Sequence, residues 1–436
     1  MSKLQKYDSY KDSGVELIGD IPEEWQILKV KNICIFDKGF GLSKNDIIGN
    51  GKNECILYGE LFTTFKNQNS ILNPKNRTNL EIGKVSIGNE ILIPSSTTTT
   101  GIDLANAKFL EKKGVLLGGD IIILKPRYNQ YLPKYLSYFL TFINKVEFIK
   151  YSKGVTIVHI YSNTIREMPI LLPTKNEQMK IVSFLDHKTQ QLEKSIKQKE
   201  QLIKLLKERR QILINDAVTK GIDKTVSMKD SGVEWIGEIP KHWEIEKVKY
   251  IFNLIIDPAP NNNDFELLSI YTDIGVKPRK ELADRGNKAS TTDGYWKVRK
   301  GDFIVNKLLA WMGAIGLSEY DGVTSPAYDI LRAINPIEGI YFHELFRMKV
   351  FSQEMKKHSR GIMDMRLRLY FDKFGDIRIP LPPIEEQKEI VKYIKINSDK
   401  IENAISLQEK TIQKLKEYKT TLIDSVVTGK VRVCDE

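Results

Sequence analysis

The sequence contains few cysteines and no long hydrophobic run. Its three cysteines, Cys34, Cys55 and Cys434, are scattered and lack the spacing of a metal site. We therefore expect a reducing compartment, the cytoplasm, and no disulfide framework. The N-terminal residues show no apolar signal region, and no apolar stretch approaches the length of a membrane span. These features exclude a disulfide-rich secreted protein and argue against any membrane partner.

Recognisable catalytic motifs are also missing. The sequence has neither the G-x-x-x-x-G-K-[ST] loop that cradles ATP phosphates nor the H-E-x-x-H zinc pair. It lacks the Asn-Pro-Pro-Tyr, Asp-Pro-Pro-Tyr and F-x-G-x-G elements that amino-methyltransferases use. The five histidines are isolated, and we interpret them as surface or packing residues. We therefore expect a chain that is not an enzyme and that binds no metal of its own.

Length and composition describe an ordinary globular protein with a basic balance. A chain of 436 residues is too long for one core and should divide into two or more domains. Its hydrophobic content is 41%, so each domain can bury a core. The net charge of +11 is compatible with a nucleic-acid partner, although charge alone is weak evidence.

The chain repeats itself. Residues 11–33 read KDSGVELIGDIPEEWQILKVKNI and residues 229–251 read KDSGVEWIGEIPKHWEIEKVKYI, with 16 of 23 positions identical. A second repeat relates residues 172–222 to 381–431 without a gap. Each half therefore has an opening motif, a variable block and a helix, which predicts one scaffold that presents two different heads. We define the first head as residues 34–167 and the second as residues 252–378.

Both repeated helices carry apolar residues at alternating steps of four and three, which is typical of a coiled coil. The pattern is interrupted at the same two places in each copy, at Lys199 and Arg210 and at Gln408 and Lys419. Two such seams in one chain are most simply buried against each other as an antiparallel pair. Roughly forty helical residues give a rod of about 60 Å, a suitable spacer between two heads. The seam residues are Leu185, Leu192, Ile196, Ile203, Leu206 and Leu213, and Ile394, Ile401, Ile405, Ile412, Leu415 and Leu422.

Several conspicuous residues have a structural interpretation. Trp25 and Trp243 could stack on bases, but they belong to the shared frame, so we predict that they are core anchors. Asp120 and Asp302 follow glycines and precede buried strands. No second carboxylate accompanies either at a useful spacing, so we predict that they form turns and not metal sites.

The string KDSGVEWIGEIPKHWE, the segment IPLPPIEEQKEIV and the duplicated layout resemble the specificity subunit of type I restriction-modification enzymes. The resemblance covers nearly the whole chain. It implies an α/β protein with two mixed α+β target recognition domains, separated by two long helices that form an antiparallel coiled coil. One departure is that the first helix begins LLPTKNEQMKIV, without the double proline of the second.

The resemblance also implies partners. Each head would read one half of a bipartite target in double-stranded DNA, and the helices would dock methyltransferase subunits, two of them, with restriction subunits joining through the complex. S-adenosylmethionine, ATP and Mg²⁺ would belong to those partners. The implied domains are residues 1–173 (first recognition domain), 174–221 (first spacer helix), 222–382 (second recognition domain) and 383–436 (second spacer helix and tail).

Candidate DNA contacts are cations, hydroxyls and glycines, because glycine allows close approach to a phosphate and a cation neutralises it. Each head ends with Ser-basic-Gly, at residues 152–154 and 359–361. For any single candidate, a solvated surface cation is an equally good interpretation. The first head offers Lys75, Arg77, Ser95, Thr97, Thr98, Lys153 and His159. The second offers Lys277, Arg279, Lys280, Arg285, Lys307, Arg360, Arg366 and Arg368.

The alternative function is a coiled-coil adaptor that binds proteins without reading DNA. A DNA reader should lose affinity steeply with salt, with a log–log slope of about −0.9 per phosphate neutralised. An adaptor should show no sequence-selective binding at any salt concentration.

Overall fold

The computed structural model describes residues 4–16, 18–97, 99, 101–148, 158–282, 292–361 and 367–433. The chain divides into two compact units. Unit 1 comprises Met1–Glu200 and Glu409–Glu436, and unit 2 comprises Gln201–Gln408. Each unit contains one head and part of both long helices. None of the helices in the described ranges is long and apolar enough to cross a membrane.

Unit 1 is built on two sheets that combine antiparallel and parallel pairs. A five-stranded sheet has the order Cys34–Lys38, Ile121–Pro126, Glu90–Pro94, Lys108–Leu110, Ser70–Ile71. A four-stranded sheet has the order Asn76–Thr78, Asn53–Ile56, Lys113–Leu117, Lys84–Ile87. The shorter two-stranded pairs are Tyr10–Asp12 with Asp20–Pro22, Gln26–Lys29 with Pro169–Leu172, and Ser96–Thr97 with Val158–His159.

The helices of unit 1 cover the five-stranded sheet and join it to the long helices. Tyr135 and Phe139 on Pro133–Phe148 are fully buried with Ile91 and Ile93 of the sheet. Ile181 of the first long helix belongs to the same core. The remaining helical elements are Val30–Ile33 and Ser162–Glu167, with 3₁₀ turns at Lys44–Asp46, Tyr58–Leu61 and Gly101–Ala105.

Unit 2 has a smaller sheet and an aromatic core. Its four-stranded antiparallel sheet has the order Phe252–Ile255, Tyr328–Ala333, Phe303–Asn306, Ile315–Leu317. Phe252 packs edge-on against Phe303 at 5.3 Å between ring centroids, and Phe346 stacks on Phe351 at 5.2 Å. The two-stranded pairs are Met228–Asp230 with Glu238–Pro240, Glu244–Lys247 with Arg378–Leu381, Leu268–Tyr271 with Gly275–Pro278, and Trp296–Val298 with Gly322–Thr324. The short helical elements are Val248–Ile251, Arg279–Leu282, Ala310–Met312, Gly339–Phe346, Lys349–His358 and Phe371–Phe374.

The two long helices span Lys175–Lys220 and Ile384–Val427. Thr174 replaces the second proline of the other copy and caps the first helix, because its Oγ1 accepts the Glu177 N–H at 3.3 Å. Each helix is followed by a glycine with positive φ, Gly221 at 75° and Gly429 at 72°. Both helices therefore end where a glycine takes up the left-handed backbone conformation that closes a helix.

Within each unit the long helices pack antiparallel, as predicted. In unit 1, Leu185 shares a core with Leu422 and Val426, and in unit 2, Val218 shares one with Ile390 and Ile394. The apolar seam positions are all buried or half-buried. The predicted fold class is confirmed, namely two mixed α+β domains with an antiparallel helix pair. The division into four domains at residues 173, 221 and 382 stays a prediction.

A buried glutamine joins each head to its long helix. Gln178 is 1% exposed; its amide nitrogen donates to the Pro173 carbonyl at 2.9 Å, and its oxygen accepts the Leu132 N–H at 2.9 Å. Gln387, 2% exposed, donates to the Pro382 carbonyl and accepts the Glu338 N–H, both at 2.9 Å. The repeated Glu-Gln of the sequence is therefore a structural joint.

The tryptophans and aspartates adopt their predicted structural roles. Trp25 is 1% exposed and Trp243 is fully buried, which confirms both as core anchors. Trp25 Nε1 donates to Glu177 at 3.1 Å, whereas Trp243 Nε1 has no hydrogen-bond partner among the described residues. Asp302 accepts the Arg299 N–H at 2.8 Å within a turn, and Asp120 also lies in a turn. Asp302 in addition holds Arg332 through two 2.7 Å hydrogen bonds.

Candidate DNA interface

Each head has a corner where the segment before a short helix hydrogen-bonds to the end of a strand. In the first head, Ile160 N donates to the Ser95 carbonyl at 2.8 Å, and Ser96 pairs with His159. In the second head, Leu369 N donates to the Lys307 carbonyl, also at 2.8 Å. We call residues 95–97 with 159–161 the first corner, and residues 307–309 with 368–370 the second corner.

The two corners have the same backbone frame. His159, Ile160 and Tyr161 lie 209 positions before Arg368, Leu369 and Tyr370, which is the offset of the helix repeat (368 − 159 = 209). The middle residue is buried in both copies, and the tyrosine that follows is exposed by 72% and 41%. A short helix then begins at Ser162 or Phe371. Equivalent positions therefore present a histidine in one head and an arginine in the other.

The first corner has hydroxyl groups behind an exposed imidazole. Ser95 and Thr97 are 8% and 1% exposed. Thr97 Oγ1 lies 2.8 Å from Thr99 Oγ1 and accepts the Thr99 N–H at 3.1 Å. His159 is exposed. At this corner the groups open to a ligand are therefore the rings of His159 and Tyr161, with Ser95 and Thr97 buried and the Thr97 hydroxyl engaged locally.

The second corner is cationic. Arg360 and Arg368 exchange two backbone hydrogen bonds of 2.9 Å, and Leu369, which follows Arg368, donates to the Lys307 carbonyl. Arg368 is exposed. Arg360 donates to Asp372 at 2.9 Å, but both side chains are more than half exposed, so this ion pair is readily exchanged for another anion. Lys307 lies 3.2 Å from Asp329. Burial raises the pKa of Asp329, and the charge of Lys307 offsets part of that rise.

The other described candidates lie elsewhere in the two heads: Arg77 and Lys277 lie in strands, Lys75 precedes a strand, and Arg279 and Lys280 begin a 3₁₀ turn. Lys75 is exposed, and Arg77 donates to the carbonyls of Gly51 and Lys52 at 3.3 Å. Lys277 donates to the Tyr320 hydroxyl at 3.2 Å and lies 5.5 Å from its ring centroid.

Arg279 is half-buried, and Lys280 pairs with Glu266. Thr98, Lys153, Arg285 and Arg366 lie outside the described residues. The structure therefore brings together Ser95, Thr97 and His159 in one head and Lys307, Arg360 and Arg368 in the other.

Sequence reasoning missed the exposed apolar and aromatic residues of the corners. Leu308, Leu309 and Met312, which follow Lys307, are 40%, 40% and 52% exposed. Such side chains can contact thymine methyl groups, and an exposed tyrosine can contact phosphate or stack. The sequence signal that could have identified the two tyrosines is that Tyr161 and Tyr370 lie at the same distance before the two copies of the helix repeat.

Ion pairs of the repeated frame hold the short helices in place. Lys29 and Lys31 lie 2.8 and 2.6 Å from Glu167, and these hydrogen bonds lower the pKa of Glu167 to about 2. In the second copy, Lys249 and Lys247 lie 2.9 and 3.1 Å from Asp376 and lower its pKa to about 2. In each head, these ion pairs thus connect the short helix that follows the corner to the opening motif of the same unit.

No cluster of three or more histidine, cysteine or acidic side chains that could hold a metal ion occurs among the described residues. The corners themselves combine imidazole, guanidinium, ammonium and phenol groups. These groups suit the recognition of phosphate oxygens and base edges.

Comparison of the sequence with those of known proteins identifies one family. The family model described as "Type I restriction modification DNA specificity domain" matches residues 22–204 and 240–417. The type I restriction enzyme MjaVIII specificity subunit of Methanocaldococcus jannaschii is 24% identical over 434 residues, which cover 95% of this chain and 94% of that protein.

Two solved structures share the fold. One is a chain from a structure of a type I restriction-modification (R-M) system, described in terms of complex assembly and conformational transition. It superimposes with a TM-score of 0.66 at 16% sequence identity, and the match covers 93% of this chain and 98% of that one. The other is the HsdS subunit from Thermoanaerobacter tengcongensis, with a TM-score of 0.54 at 16% identity, covering 94% of this chain and 98% of that one.

Proposed function

Because this chain belongs to the family of type I restriction-modification specificity proteins, we propose that it reads a bipartite double-stranded DNA target, one half-site through each head. The observation that carries the proposal is the pair of corners. Their backbone frames coincide, while their exposed side chains differ. Two readers of different half-sites need this combination, since the frame positions each corner and the side chains select the bases.

The chemistry of the corners supports different half-sites. Arg368 and Arg360 can each form bidentate hydrogen bonds to guanine O6 and N7, or neutralise a phosphate. In the first corner, His159 and Tyr161 offer a ring nitrogen and a phenol in place of the guanidinium groups. We therefore expect the second half-site to depend more strongly on cation contacts, and hence on salt, than the first.

The rest of the proposal concerns partners. We propose that the repeated frame and long helices dock two methyltransferase subunits, and through them restriction subunits, in the cytoplasm. The chain itself would be non-catalytic, with S-adenosylmethionine, ATP and Mg²⁺ bound by those partners. The support is the repetition itself, since two copies of one frame can bind two copies of one partner.

The experiment is methylome sequencing of a methylation-free host that expresses this chain with its candidate methyltransferase subunit. The control is the same host without this chain. A bipartite motif with a fixed unread spacer, present only with this chain, is the expected result. No new methylation from a stably assembled complex would contradict DNA reading and favour the adaptor alternative.

Variants assign the half-sites to the heads. Charge reversal of Arg360 and Arg368 should remove the methylation signal by abolishing recognition of one half-site, while the complex with the methyltransferase subunit still assembles. Unchanged methylation and unchanged sequence preference would contradict the assignment of the second corner.

A further inference from the structure

Five lysines line one cavity of unit 1. The cavity has a volume of about 410 Å³ and lies between the first head and the two long helices within that unit. Its lysines are Lys66, Lys108, Lys145, Lys416 and Lys419. Asp103 and Glu193 are the carboxylates in the lining. Five cations against two carboxylates give the lining a formal charge of +3, which is favourable for an anion.

Lys108 is the most unusual of these groups. Its side chain belongs to the strand Lys108–Leu110, is only 3% exposed, and donates from Nζ to the Lys66 carbonyl at 3.2 Å. Burial, followed by the charges of Lys419 and Lys145, lowers the pKa of Lys108 to about 7. A buried ammonium that faces two other cations destabilises the fold, so its presence points to a ligand that compensates it.

The neighbouring cations are only partly compensated by the chain. Lys419 Nζ lies 2.6 Å from Glu193 Oε1 and 3.0 Å from the Asn67 carbonyl. An ammonium has three donors, so Lys419 can take a third acceptor. Burial lowers the pKa of Lys145, as does Lys419, whereas Asp424 opposes the shift.

Unit 2 compensates a half-buried cation in another way. Arg347 donates to four backbone carbonyls, those of Gly313, Ile315, Thr272 and Asp273, at 2.8–3.2 Å. Its guanidinium is therefore satisfied by its own unit. The lysines of unit 1 instead surround open space, with neutral donors and acceptors from Asn106 and Thr141 in the same lining.

We propose that this cavity binds a small molecule carrying one or more phosphate groups, with Lys108, Lys145 and Lys419 as its cationic ligands. A phosphate group offers several acceptor oxygens at once, so it can accept from all three ammonium groups. The negative charge of the phosphate group is sufficient to keep Lys108 protonated near neutral pH. The site is formed by the head and long helices of unit 1 alone, and its lining includes none of the residues of the first corner.

The test uses the full chain and inorganic pyrophosphate, with affinity measured by calorimetry. Lys108→Met and Lys145→Met each remove one ammonium and keep an unbranched side chain. Each should weaken binding about tenfold or more, since each deletes a charge-assisted contact. Lys410→Met is the matched control, because Lys410 is exposed on the same long helix as Lys419 and does not line the cavity.

The pH dependence provides a second readout. The ratio of the dissociation constants of Lys108→Met and the wild type should be largest near pH 6.5, where Lys108 is protonated. It should shrink towards pH 8.5, where Lys108 loses its charge. Because the ratio is taken at each pH, the titration of pyrophosphate itself cancels. The other charged groups of the lining are Lys66, Lys145, Lys416, Lys419, Glu193 and Asp103, and each is present in both proteins.

Three results would overturn the proposal. The first is no binding of pyrophosphate by the wild type up to about 10 mM. The second is equal affinity in Lys108→Met, Lys145→Met and Lys410→Met. The third is a short DNA duplex that requires Lys108 for binding while pyrophosphate does not compete, which would assign the cavity to DNA phosphates.

Discussion

Lys419 Nζ lies 2.6 Å from Glu193 Oε1, so an ion pair connects the two long helices inside unit 1. The repeat counterparts are Arg210 and Glu402, 209 positions away from Lys419 and Glu193 (419 − 210 = 209; 402 − 193 = 209). Arg210 Nη1 lies 3.9 Å from Glu402 Oε2 in unit 2. The interruption of the heptad pattern at Arg210 and Lys419 is therefore a repeated cross-helix ion pair.

The two pairs should contribute differently to stability. The Lys419 side chain is 16% exposed and that of Arg210 is 45% exposed. Lys419→Ala should lower the free energy of unfolding by about 1–2 kcal/mol, because it leaves a half-buried glutamate without its partner. Arg210→Ala should cost about 0–0.5 kcal/mol. Urea unfolding of the two variants measures both values, and equal losses would contradict the distinction.

The buried glutamines should be the most sensitive polar positions of the long helices. Gln178→Ala removes one donor and one acceptor, which leaves the Leu132 N–H and the Pro173 carbonyl buried without partners. We expect a loss of about 2–3 kcal/mol, and the same for Gln387→Ala.

Thermal unfolding checks this prediction. Gln198→Ala is the control, since Gln198 is exposed on the first long helix and its change should stay within about 0.5 kcal/mol. If Gln178→Ala and Gln387→Ala lower the free energy of unfolding by no more than Gln198→Ala does, the buried glutamines are not required for stability.

Lys108 should make stability depend on alkaline pH. Burial and the neighbouring lysines lower its pKa in the folded chain to about 7, below the unfolded value of about 10.4. The folded chain then binds fewer protons than the unfolded chain between these values, so stability rises with pH across this window. Below about pH 7 the destabilisation by the buried charge is complete.

The matched comparison is wild type against Lys108→Met in the absence of anions. The variant should be more stable at pH 7, on the order of 2 kcal/mol, because it removes a buried charge. This advantage should decrease steadily as the pH approaches 10. Denaturation curves at several pH values measure it, and a difference that is constant with pH would be inconsistent with titration of Lys108.

The corners should differ in their response to single substitutions. Arg368→Ala should weaken binding of the assembled complex to its target by about 1–3 kcal/mol and relax the preference at one base pair if Arg368 contacts a base. If Arg368 contacts a phosphate, binding should weaken on all sequences and the salt slope should fall by about 1.

His159→Ala should affect the other half-site only. Competition binding with single-base variants of the target separates these outcomes, and identical effects of the two substitutions on the same half-site would exclude the two-corner scheme.

Local patterns in the sequence predicted the parts of the fold that depend on local physics. The heptads gave both long helices because the seam repeats within each helix, as at Leu185 and Ile394. The tryptophans were recognisable as core residues because both copies retain them. Gly221 and Gly429 stand just after the two helices because glycine adopts the positive φ that ends a helix at little cost.

The candidate site was harder to predict because its parts are distant in sequence. Ser95 and Lys307 share no local motif, and only their hydrogen bonds to Ile160 and Leu369 show that they are equivalent. Lys108 stands in the ordinary strand sequence Lys-Phe-Leu, and its burial follows from the packing of helices that are remote along the chain. Conversely, Ser95 and Thr97 read as accessible hydroxyls, whereas sheet pairing buries them.

Unit 2 is one continuous stretch of chain, but unit 1 needs Glu409–Glu436 in addition to its first 200 residues. During synthesis, Ile181 and Leu185 must therefore remain without Leu422 and Val426 until those later residues have been translated. An unfinished apolar face is a target for chaperones and for aggregation. All residues of unit 2 are therefore translated before unit 1 receives its last segment.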